Sequence, residues 1–391
     1  MYLKSIQIEN IGCIRHLNLE QLNPQMNVFT GPNGVGKTTV LKAVHSVLTT
    51  SYAVQIKKKA GTDQGVIRAT LAIDDTLKSV EQVVKSFAPT ETDGGAGFEL
   101  GRKVIWIPDS RELEYTSLPY VPKDVIQEDT YYNFSSSTDT KAMVEGIKGW
   151  FVNRYLFSAH ANGLSEIQRA NLNVAIQSFS YLDPSVTFSR VDSHSLDILL
   201  NTPSGEVYFE YLSSGYNSLI IMILGIIKEI EFRYNDTLGT VADFDGVVII
   251  DEIDLHLHPT WQVQIINALL AIFPHVQFFI STHSPHVVQS LSPNQLFPLG
   301  KEEEDMVLRQ FPTSEYGFKG WTIEEILTEV MGMETIHTTS FQQLWSEFTK
   351  AIESDDAKQA RDNGDKLLRM LHPSNVLRKV VELQLTSLGD D

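Results

Sequence analysis

One stretch of eight residues near the N-terminus restricts the fold of this chain more than any other feature. Residues 31–38 read Gly-Pro-Asn-Gly-Val-Gly-Lys-Thr, between a short strand pattern at residues 27–30 and a helical pattern that runs to Leu48. Glycines let backbone N–H groups curl around phosphate oxygens, and the following helix offers its positive N-terminus. In such a loop Lys37 reaches the β- and γ-phosphates and the Thr38 hydroxyl binds Mg²⁺. The strand before and the helix after favour this prediction over a glycine-rich turn that happens to precede a lysine.

An apolar run that ends in two acids supplies a partner for this loop. Residues 247–252 read Val-Val-Ile-Ile-Asp-Glu, and open α/β sheets bind their ligands at the carboxyl ends of strands. We expect Asp251 to hold Mg²⁺, directly or through water, and Glu252 to polarise the attacking water. Alone, such a pair is a common strand end, so its interpretation depends on the phosphate loop.

Three further segments are ambiguous by themselves. The Leu-Ser-Ser-Gly turn at residues 212–215, called the signature turn below, can bind an anion at a helix N-terminus or act as a plain cap, and alone the cap is favoured. His283, at another strand end, can donate to a terminal phosphate or be a satisfied structural residue, and alone the structural role is favoured. His256 and His258 suggest a metal, but no third ligand stands nearby, so zinc is disfavoured.

Composition and charge exclude several classes of protein. Of the 391 residues, 42% are apolar, which is enough for a sizeable core. The single cysteine, Cys13, excludes a disulfide framework and a multi-cysteine zinc finger. The net charge of −18 argues against general nucleic-acid binding, which depends on lysine and arginine. The compact basic run at residues 57–59 is usually a solvated patch.

The sequence shows neither a membrane-spanning segment nor a signal peptide, which bears on the compartment. No apolar run reaches the roughly 18–20 residues that a membrane helix needs. The first ten residues lack the basic and apolar regions of a signal peptide. We therefore expect a cytoplasmic protein without a membrane partner.

Hydrophobic patterning predicts an α/β fold. Residues 2–9 and 14–19 read as paired strands, and strand–helix alternation across residues 212–299 implies a mainly parallel sheet flanked by helices. The last 90 residues read as helices, two of which open with capping boxes at Thr322 and Ser340.

The motifs, taken in their order, resemble the ABC-type ATPases of the RecF and SMC class, particularly the compact bacterial ATPases of anti-phage systems, such as Septu-type and OLD-like ATPases. The resemblance implies an α/β fold: an ABC-type P-loop NTPase head with an N-terminal antiparallel β lobe, a mixed or parallel sheet core, a small α/β insertion and C-terminal helices. It covers residues 1–50 and 205–300, which we expect to form a discontinuous head. Residues 51–204 would then be an inserted β-rich and helical lobe, and residues 301–391 a C-terminal helical region.

The resemblance also implies the site residues and the cofactors, ATP and Mg²⁺. The phosphates would be bound by Asn33, Gly34, Gly36, Lys37, Thr38 and Thr39. The signature turn would act through Ser213 and Gly215 on the nucleotide of a second chain. Asp254 would join the nucleotide site, Thr38 and Asp251 would hold the metal, and Glu252 and His283 would be catalytic.

As a function, the resemblance implies ATP hydrolysis by a dimeric conformational switch. Two heads would sandwich two nucleotides, and a separate effector, such as a nuclease, would read the closure in bacterial defence. The alternative is a RecF-like repair ATPase whose dimer grips DNA, so nucleic acid is a further candidate partner. A transporter ATPase is disfavoured by the Asp-Leu-His-Leu-His-Pro segment and the N-terminal strand pair. The short helical C-terminal region speaks against an attached Toprim nuclease.

Two positions depart from the family pattern. Tyr216 stands where the family often has glutamine or glutamate, which would weaken the contact made with the second chain. The usual glutamine on the loop after a central strand is not evident, and Arg111 is a candidate polar substitute.

Overall fold

The structure is a computed structural model that describes residues 1–49, 55–74, 76–93, 95, 98–107, 115–123, 140–181, 183–234, 239–303, 305–312 and 314–387. Their contacts form two compact units, Met1–Gly332 and Met333–Asp391. The fold class predicted from the sequence is confirmed, because the first unit combines antiparallel and mixed sheets with helices and the second is helical.

The first unit is built around a six-stranded sheet. In spatial order its strands are β13 (Asp305–Leu308), β12 (Leu296–Glu302), β3 (Met26–Thr30), β11 (Gln277–Ser281), β10 (Val247–Ile250) and β6 (Val104–Ile107). All neighbours pair in parallel except β12 and β13, which form an antiparallel edge. The parallel strands read as continuous apolar runs because both faces of the sheet are covered.

Alternate residues of this sheet enter two different cores. In β10, Val248 and Ile250 join one cluster, whereas Val247 and Ile249 join the other. The second cluster lies beneath helix α1 (Lys37–Leu48) and a four-stranded antiparallel sheet. That sheet has the order β2 (Ile14–Leu19), β1 (Tyr2–Ile11), β4 (Gly65–Ile73) and β5 (Thr76–Val84).

Helices cover the other face of the central sheet. They are α2 (Thr140–Ser158), α3 (Glu166–Ser178), α4 (Ser214–Tyr234), α5 (Pro259–Ile272) and α6 (Pro285–Gln289). A three-stranded antiparallel sheet adjoins them, formed by β7 (Thr187–Val191), β8 (Ile198–Thr202) and β9 (Gly205–Tyr208). The long helix α4 is buried along most of its length, so it contributes much of this core.

Of the two helix caps predicted for the C-terminal region, one is confirmed and the other lies two residues earlier than predicted. Thr322 and Glu325 form the predicted capping box before α7 (Ile323–Glu325), which continues as a π turn at Ile326–Val330. The second unit contains α8 (Thr339–Glu353), α9 (Ala357–Met370) and α10 (Val376–Ser387). Thr338, rather than Ser340, caps α8 through the N–H of Phe341. Within the described ranges, no helix combines the length and apolar character that a membrane crossing requires.

Several strands lie outside the head segments drawn from the sequence. The sequence places β4, β5 and β6 in an inserted lobe, yet β4 and β5 extend the sheet begun by β1, and β6 is an edge of the central sheet beside β10. A four-residue strand needs a paired neighbour for its backbone, and here that neighbour is distant in sequence. Likewise, β12 and β13 carry strand structure past residue 301, where the sequence predicts helices. The boundaries at 51, 205 and 301 stay a prediction.

Candidate functional site

The loop between β3 and α1 requires glycine at two of its positions. Gly31 has φ +138°, and a Cβ there would lie 2.2 Å from the carbonyl oxygen of Leu299. Gly36 precedes α1 with φ +115°, and a Cβ there would lie 2.5 Å from Cε of Met306. The loop is therefore wedged against the β12–β13 edge, and only glycine allows so close an approach.

Lys37 is bound to its own loop. Its Nζ donates to the carbonyl oxygen of Gly31 at 2.9 Å and to that of Pro32 at 3.1 Å. Burial lowers the pKa of Lys37, and three nearby carboxylates oppose that shift. The ammonium group is thus held at the mouth of the loop, facing the acids at the end of β10.

A cleft of about 440 Å³ opens beside this loop. Most of the predicted site residues meet there. The described residues that line it are Cys13, Asn33, Gly34, Gly36, Lys37, Thr38, Thr39, Asp251, Glu252, Ser281 and His283. Ser213, Gly215 and Asp254 are described but are not among the residues that line it.

The hydroxyl of Ser281 contacts both residues at the end of β10, the carboxylate of Asp251 and the backbone of Glu252. Ser281, at the end of β11, donates through Oγ to Oδ1 of Asp251 at 2.5 Å. The same oxygen accepts the backbone N–H of Glu252 at 2.7 Å. Glu252 has φ +49°, in the left-handed region that is uncommon for residues with a side chain. Sequence reasoning gave Ser281 no role, because its contact depends on β10 and β11 being neighbours.

The segment after β11 is fixed by Asp254. Oδ1 of Asp254 accepts from Oγ1 of Thr282 at 2.5 Å and from the backbone N–H of His283 at 3.0 Å. Burial lowers the pKa of His283, and the positive charge of Lys37 lowers it further against the pull of three carboxylates. The imidazole is therefore neutral at pH 7, with one nitrogen able to donate and the other to accept.

The donors in the cleft suit a magnesium ion that shares nucleotide phosphates. The Thr38 hydroxyl and the Asp251 carboxylate both line it, and Mg²⁺ prefers oxygen ligands, taking one or two carboxylates together with phosphates and water. Across the described part of the chain, no group of three or more His, Cys, Asp or Glu forms a metal cage. Thr38 and Asp251 therefore fit the protein's share of a magnesium site that nucleotide phosphates would complete.

The signature turn lies at the start of α4, with Ser213 exposed. Oγ of Ser213 accepts the N–H of Tyr216 at 3.4 Å, so this serine also serves as a helix cap. A Cβ on Gly215 would lie 2.3 Å from the carbonyl oxygen of His256, which explains the glycine by packing alone. The Tyr216 side chain is buried, and its hydroxyl donates to the carbonyl of Phe179. It therefore points into the core, away from the exposed side of the turn.

The other candidates from the sequence have local roles or fall outside the described residues. His258 caps α5, accepting the N–H of Thr260 at 3.3 Å. In the basic run, Lys57 donates to the carbonyl oxygens of Ala88 and Glu91, and Lys58 donates to two backbone carbonyls. Arg111, the candidate substitute for a glutamine, lies outside the described residues.

Comparison with known proteins places the chain in a family. The profile of a family described as AAA domain matches residues 5–176, and that of a family described as AAA ATPase domain matches residues 124–288. The Septu protein PtuA of Bacillus thuringiensis is 37% identical over 394 aligned residues, covering 100% of this chain and 99% of that protein. The chain belongs to the Septu PtuA family. The resemblance to ABC-type ATPases of anti-phage systems is thereby confirmed.

Other curated proteins and solved structures are similar to parts of the PtuA-family chain. A Septu protein PtuA of Bacillus mycoides (strain KBAB4) is 27% identical over 84% of this chain and 44% of its own length. The Retron Vc95 probable ATPase of Vibrio cholerae serotype O1 biovar El Tor is 33% identical over 33% of this chain and 24% of its own. Among solved structures, an SMC head bound to the C-winged helix domain of ScpA is 10% identical, with a TM-score of 0.49 over 79% of this chain and 97% of that one.

Replacing Ser281 by alanine should slow ATP turnover in this PtuA-family chain without unfolding it. The change removes the hydroxyl that donates to Asp251 and accepts from the N–H of Glu252. Loss of such an orienting partner typically costs about 10- to 100-fold in activity or metal affinity. Steady-state ATPase rates over a Mg²⁺ titration measure it. Ser290→Ala, which removes a hydroxyl at the end of α6, is the matched control. Equal ATPase rates for the two variants would show that Ser281 does not orient the acids for turnover.

Proposed function

We propose that this PtuA-family chain binds ATP with Mg²⁺ and hydrolyses it to ADP and phosphate. The observation that carries the proposal is the cleft in which Lys37, Thr38, Asp251, Glu252 and His283 meet. The loop supplies backbone N–H groups and an ammonium for the phosphates, and the strand ends supply carboxylates and an imidazole. This combination is what phosphoryl transfer to water requires.

Each side chain has a distinct task in the proposed reaction. Lys37 leaves its loop carbonyls and binds the β- and γ-phosphate oxygens. Glu252, at the end of β10, accepts a proton from the attacking water, and neutral His283 donates a hydrogen bond to a terminal phosphate oxygen. Thr38 and Asp251 hold Mg²⁺, which neutralises phosphate charge when bound. Asn33, Gly34, Gly36 and Thr39 complete the phosphate contacts, and Asp254 keeps the His283 segment in place.

The proposed functional unit is a dimer, because the signature turn does not line the cleft of its own chain. In this proposal Ser213 and Gly215 of one copy close over the nucleotide held by the other. The exposed position of Ser213 at the start of α4 leaves it available for such a contact, and the helix N-terminus favours an anion. ATP binding would then close the dimer and hydrolysis would reopen it.

Ser213→Arg should abolish hydrolysis while sparing nucleotide binding to the single head. The long cation would stand between the altered turn and the nucleotide held by the other chain and prevent closure of that composite site, although nothing in the cleft of the altered chain itself is changed. Fluorescent ATP-analogue titration measures binding, and phosphate release measures turnover. Normal hydrolysis by a dilute monomeric Ser213→Arg variant would refute the sandwich and leave the turn as a helix cap.

Mixing two inactive variants tests whether each nucleotide site is shared between two chains. A Ser213→Arg chain keeps a good phosphate loop, and a Lys37→Ala chain keeps a good signature turn. In a mixed dimer one composite site joins the two intact halves, so partial ATPase activity should return, provided that subunits exchange and that the two sites can fire independently. The same mixture made with chemically crosslinked homodimers, which cannot exchange subunits, is the control and should stay inactive.

We further propose that the nucleotide cycle controls a separate effector, such as a nuclease, in anti-phage defence. The family membership and the similarity to a retron probable ATPase support this role. The alternative, a RecF-like dimer that itself grips DNA, predicts duplex binding by the purified protein. A gel-shift titration against salt distinguishes them, since direct phosphate contacts would weaken steeply with salt concentration.

A further inference from the structure

A buried ion cluster lies beside the segment that leads into the signature turn. Nζ of Lys148 donates to Oδ1 of Asp197 at 2.6 Å and to Oε1 of Glu210 at 2.5 Å. The three side chains are only 3–4% exposed. We call these three residues the Lys148 cluster. It does not line the nucleotide cleft, and neither the sequence motifs nor the proposed reaction gives it a role.

The Lys148 cluster joins separate parts of the chain. Lys148 lies on α2, Asp197 immediately precedes β8, and Glu210 lies in the 3₁₀ turn Phe209–Tyr211 after β9. A third hydrogen bond of the ammonium, 2.9 Å long, reaches the carbonyl oxygen of Thr116. Burial would lower the pKa of Lys148, but its hydrogen bonds to the two carboxylates outweigh burial and raise the pKa. The amine therefore stays charged and keeps all three acceptors.

A short stretch of backbone connects Glu210 to the signature turn. Ser213 follows Glu210 by three residues, and Asn217 on α4 fixes the segment between them. Nδ2 of Asn217 donates to the carbonyl oxygens of Leu212 at 3.1 Å and of Glu210 at 3.5 Å. The backbone N–H of Asn217 donates to the carbonyl oxygen of Ser213 at 3.0 Å. Residues 210–213 are thus held by the Lys148 cluster at one end and by α4 at the other.

We propose that Lys148, acting through Glu210, positions the signature turn for its contact with the nucleotide held by a second copy of this chain. Lys148 and Glu210 are positioning residues, because neither touches the cleft. The inference rests on the proposed two-chain function. Its physical basis is that an anion-binding turn must be held in a fixed geometry before closure to contribute to the reaction.

The chain offers a matched pair of variants for the test. Glu231, on α4, accepts from Nε of Arg154 on α2 at 2.6 Å, with both side chains 2–3% exposed. Glu210→Gln and Glu231→Gln therefore each neutralise a buried carboxylate paired with a cation of α2. Both should lower the melting temperature. Only Glu210→Gln should also lower kcat, by about 10- to 100-fold, with ATP-analogue affinity of the single head unchanged.

The mixing assay then distinguishes a misplaced signature turn from general damage. Glu210→Gln mixed with Lys37→Ala should regain activity, because one composite site joins a good loop to a good turn. Glu210→Gln mixed with Ser213→Arg should not, since both turns are defective. Lys148→Arg keeps the buried cation but replaces a compact ammonium with a planar fork. It should show the same mixing behaviour and serves if Glu210→Gln does not fold.

Each outcome of these experiments decides the inference. Equal kcat values for Glu210→Gln and Glu231→Gln overturn it. It is also overturned, with the two-chain function intact, if Ser213→Arg regains activity with Lys37→Ala but Glu210→Gln does not. If neither mixture regains activity, the two-chain function fails and the inference fails with it.

Discussion

Lys37→Ala is expected to abolish ATP turnover and to weaken nucleotide binding by about 100-fold. The change removes the ammonium that the loop holds at the mouth of the cleft, so phosphate charge is left uncompensated. A charge-assisted hydrogen bond contributes on the order of 3 kcal/mol, which corresponds to about 100-fold in Kd. Isothermal titration calorimetry with a non-hydrolysable ATP analogue measures the affinity, and phosphate release measures the rate.

Two further variants separate charge from structure in this experiment. Lys37→Met keeps most of the side-chain length without the charge, so it should behave like Lys37→Ala if electrostatics dominate. Lys42→Ala removes a lysine from the same helix α1 that does not line the cleft, and it should bind and turn over ATP normally. Wild-type affinity and rate in Lys37→Ala would show that the nucleotide is bound elsewhere.

Glu252→Gln is expected to bind ATP normally and to hydrolyse it about 10²- to 10⁴-fold more slowly, the range for loss of a general base. The amide keeps the shape of the side chain, and glutamine has the same cost as glutamate at φ +49°. It cannot, however, accept the proton of the attacking water. Single-turnover kinetics measure the chemical step. Size-exclusion chromatography with ATP should show an accumulated dimer, because closed pairs reopen slowly.

A surface glutamate provides the control for this second variant. Glu302, exposed at the end of β12, lies outside the cleft, so Glu302→Gln should match the wild type. Two results for Glu252→Gln would count against the assigned role. Unchanged turnover would mean that another group activates the water, and loss of nucleotide binding would mean that Glu252 supports the loop.

The sequence predicts those parts of the site that are encoded within one short segment. The loop around Lys37, the strand before it and the helix after it follow from local patterns, as do β10 and its terminal acids. These motifs are strong because backbone conformation, side-chain chemistry and position in the chain are specified together. The predicted residues Asn33, Thr38, Thr39 and His283 indeed lie around the same cleft.

Features that depend on distant pairing were not predictable in this way. The contact of Ser281 with Asp251 exists because β10 and β11 are parallel neighbours, and the place of β6 beside β10 depends on a partner more than a hundred residues away. The cap of α8 illustrates a different difficulty, since Thr338, Thr339 and Ser340 are consecutive and each has a hydroxyl suited to a cap. Lys148 and Glu210 belong to no motif, and only the fold brings them together.

The hydrogen bonds of Lys37 to its own loop have a consequence for which ligands the cleft accepts. The ammonium has three N–H donors and already gives two of them to carbonyl oxygens, so a ligand must compete with these carbonyls to engage more than one donor. A neutral nucleoside offers only uncharged acceptors, which compete poorly with the two carbonyl oxygens. A polyphosphate offers charged oxygens, which form stronger hydrogen bonds than neutral ones. We therefore expect the resting contacts of Lys37 to favour charged polyphosphates over neutral ligands.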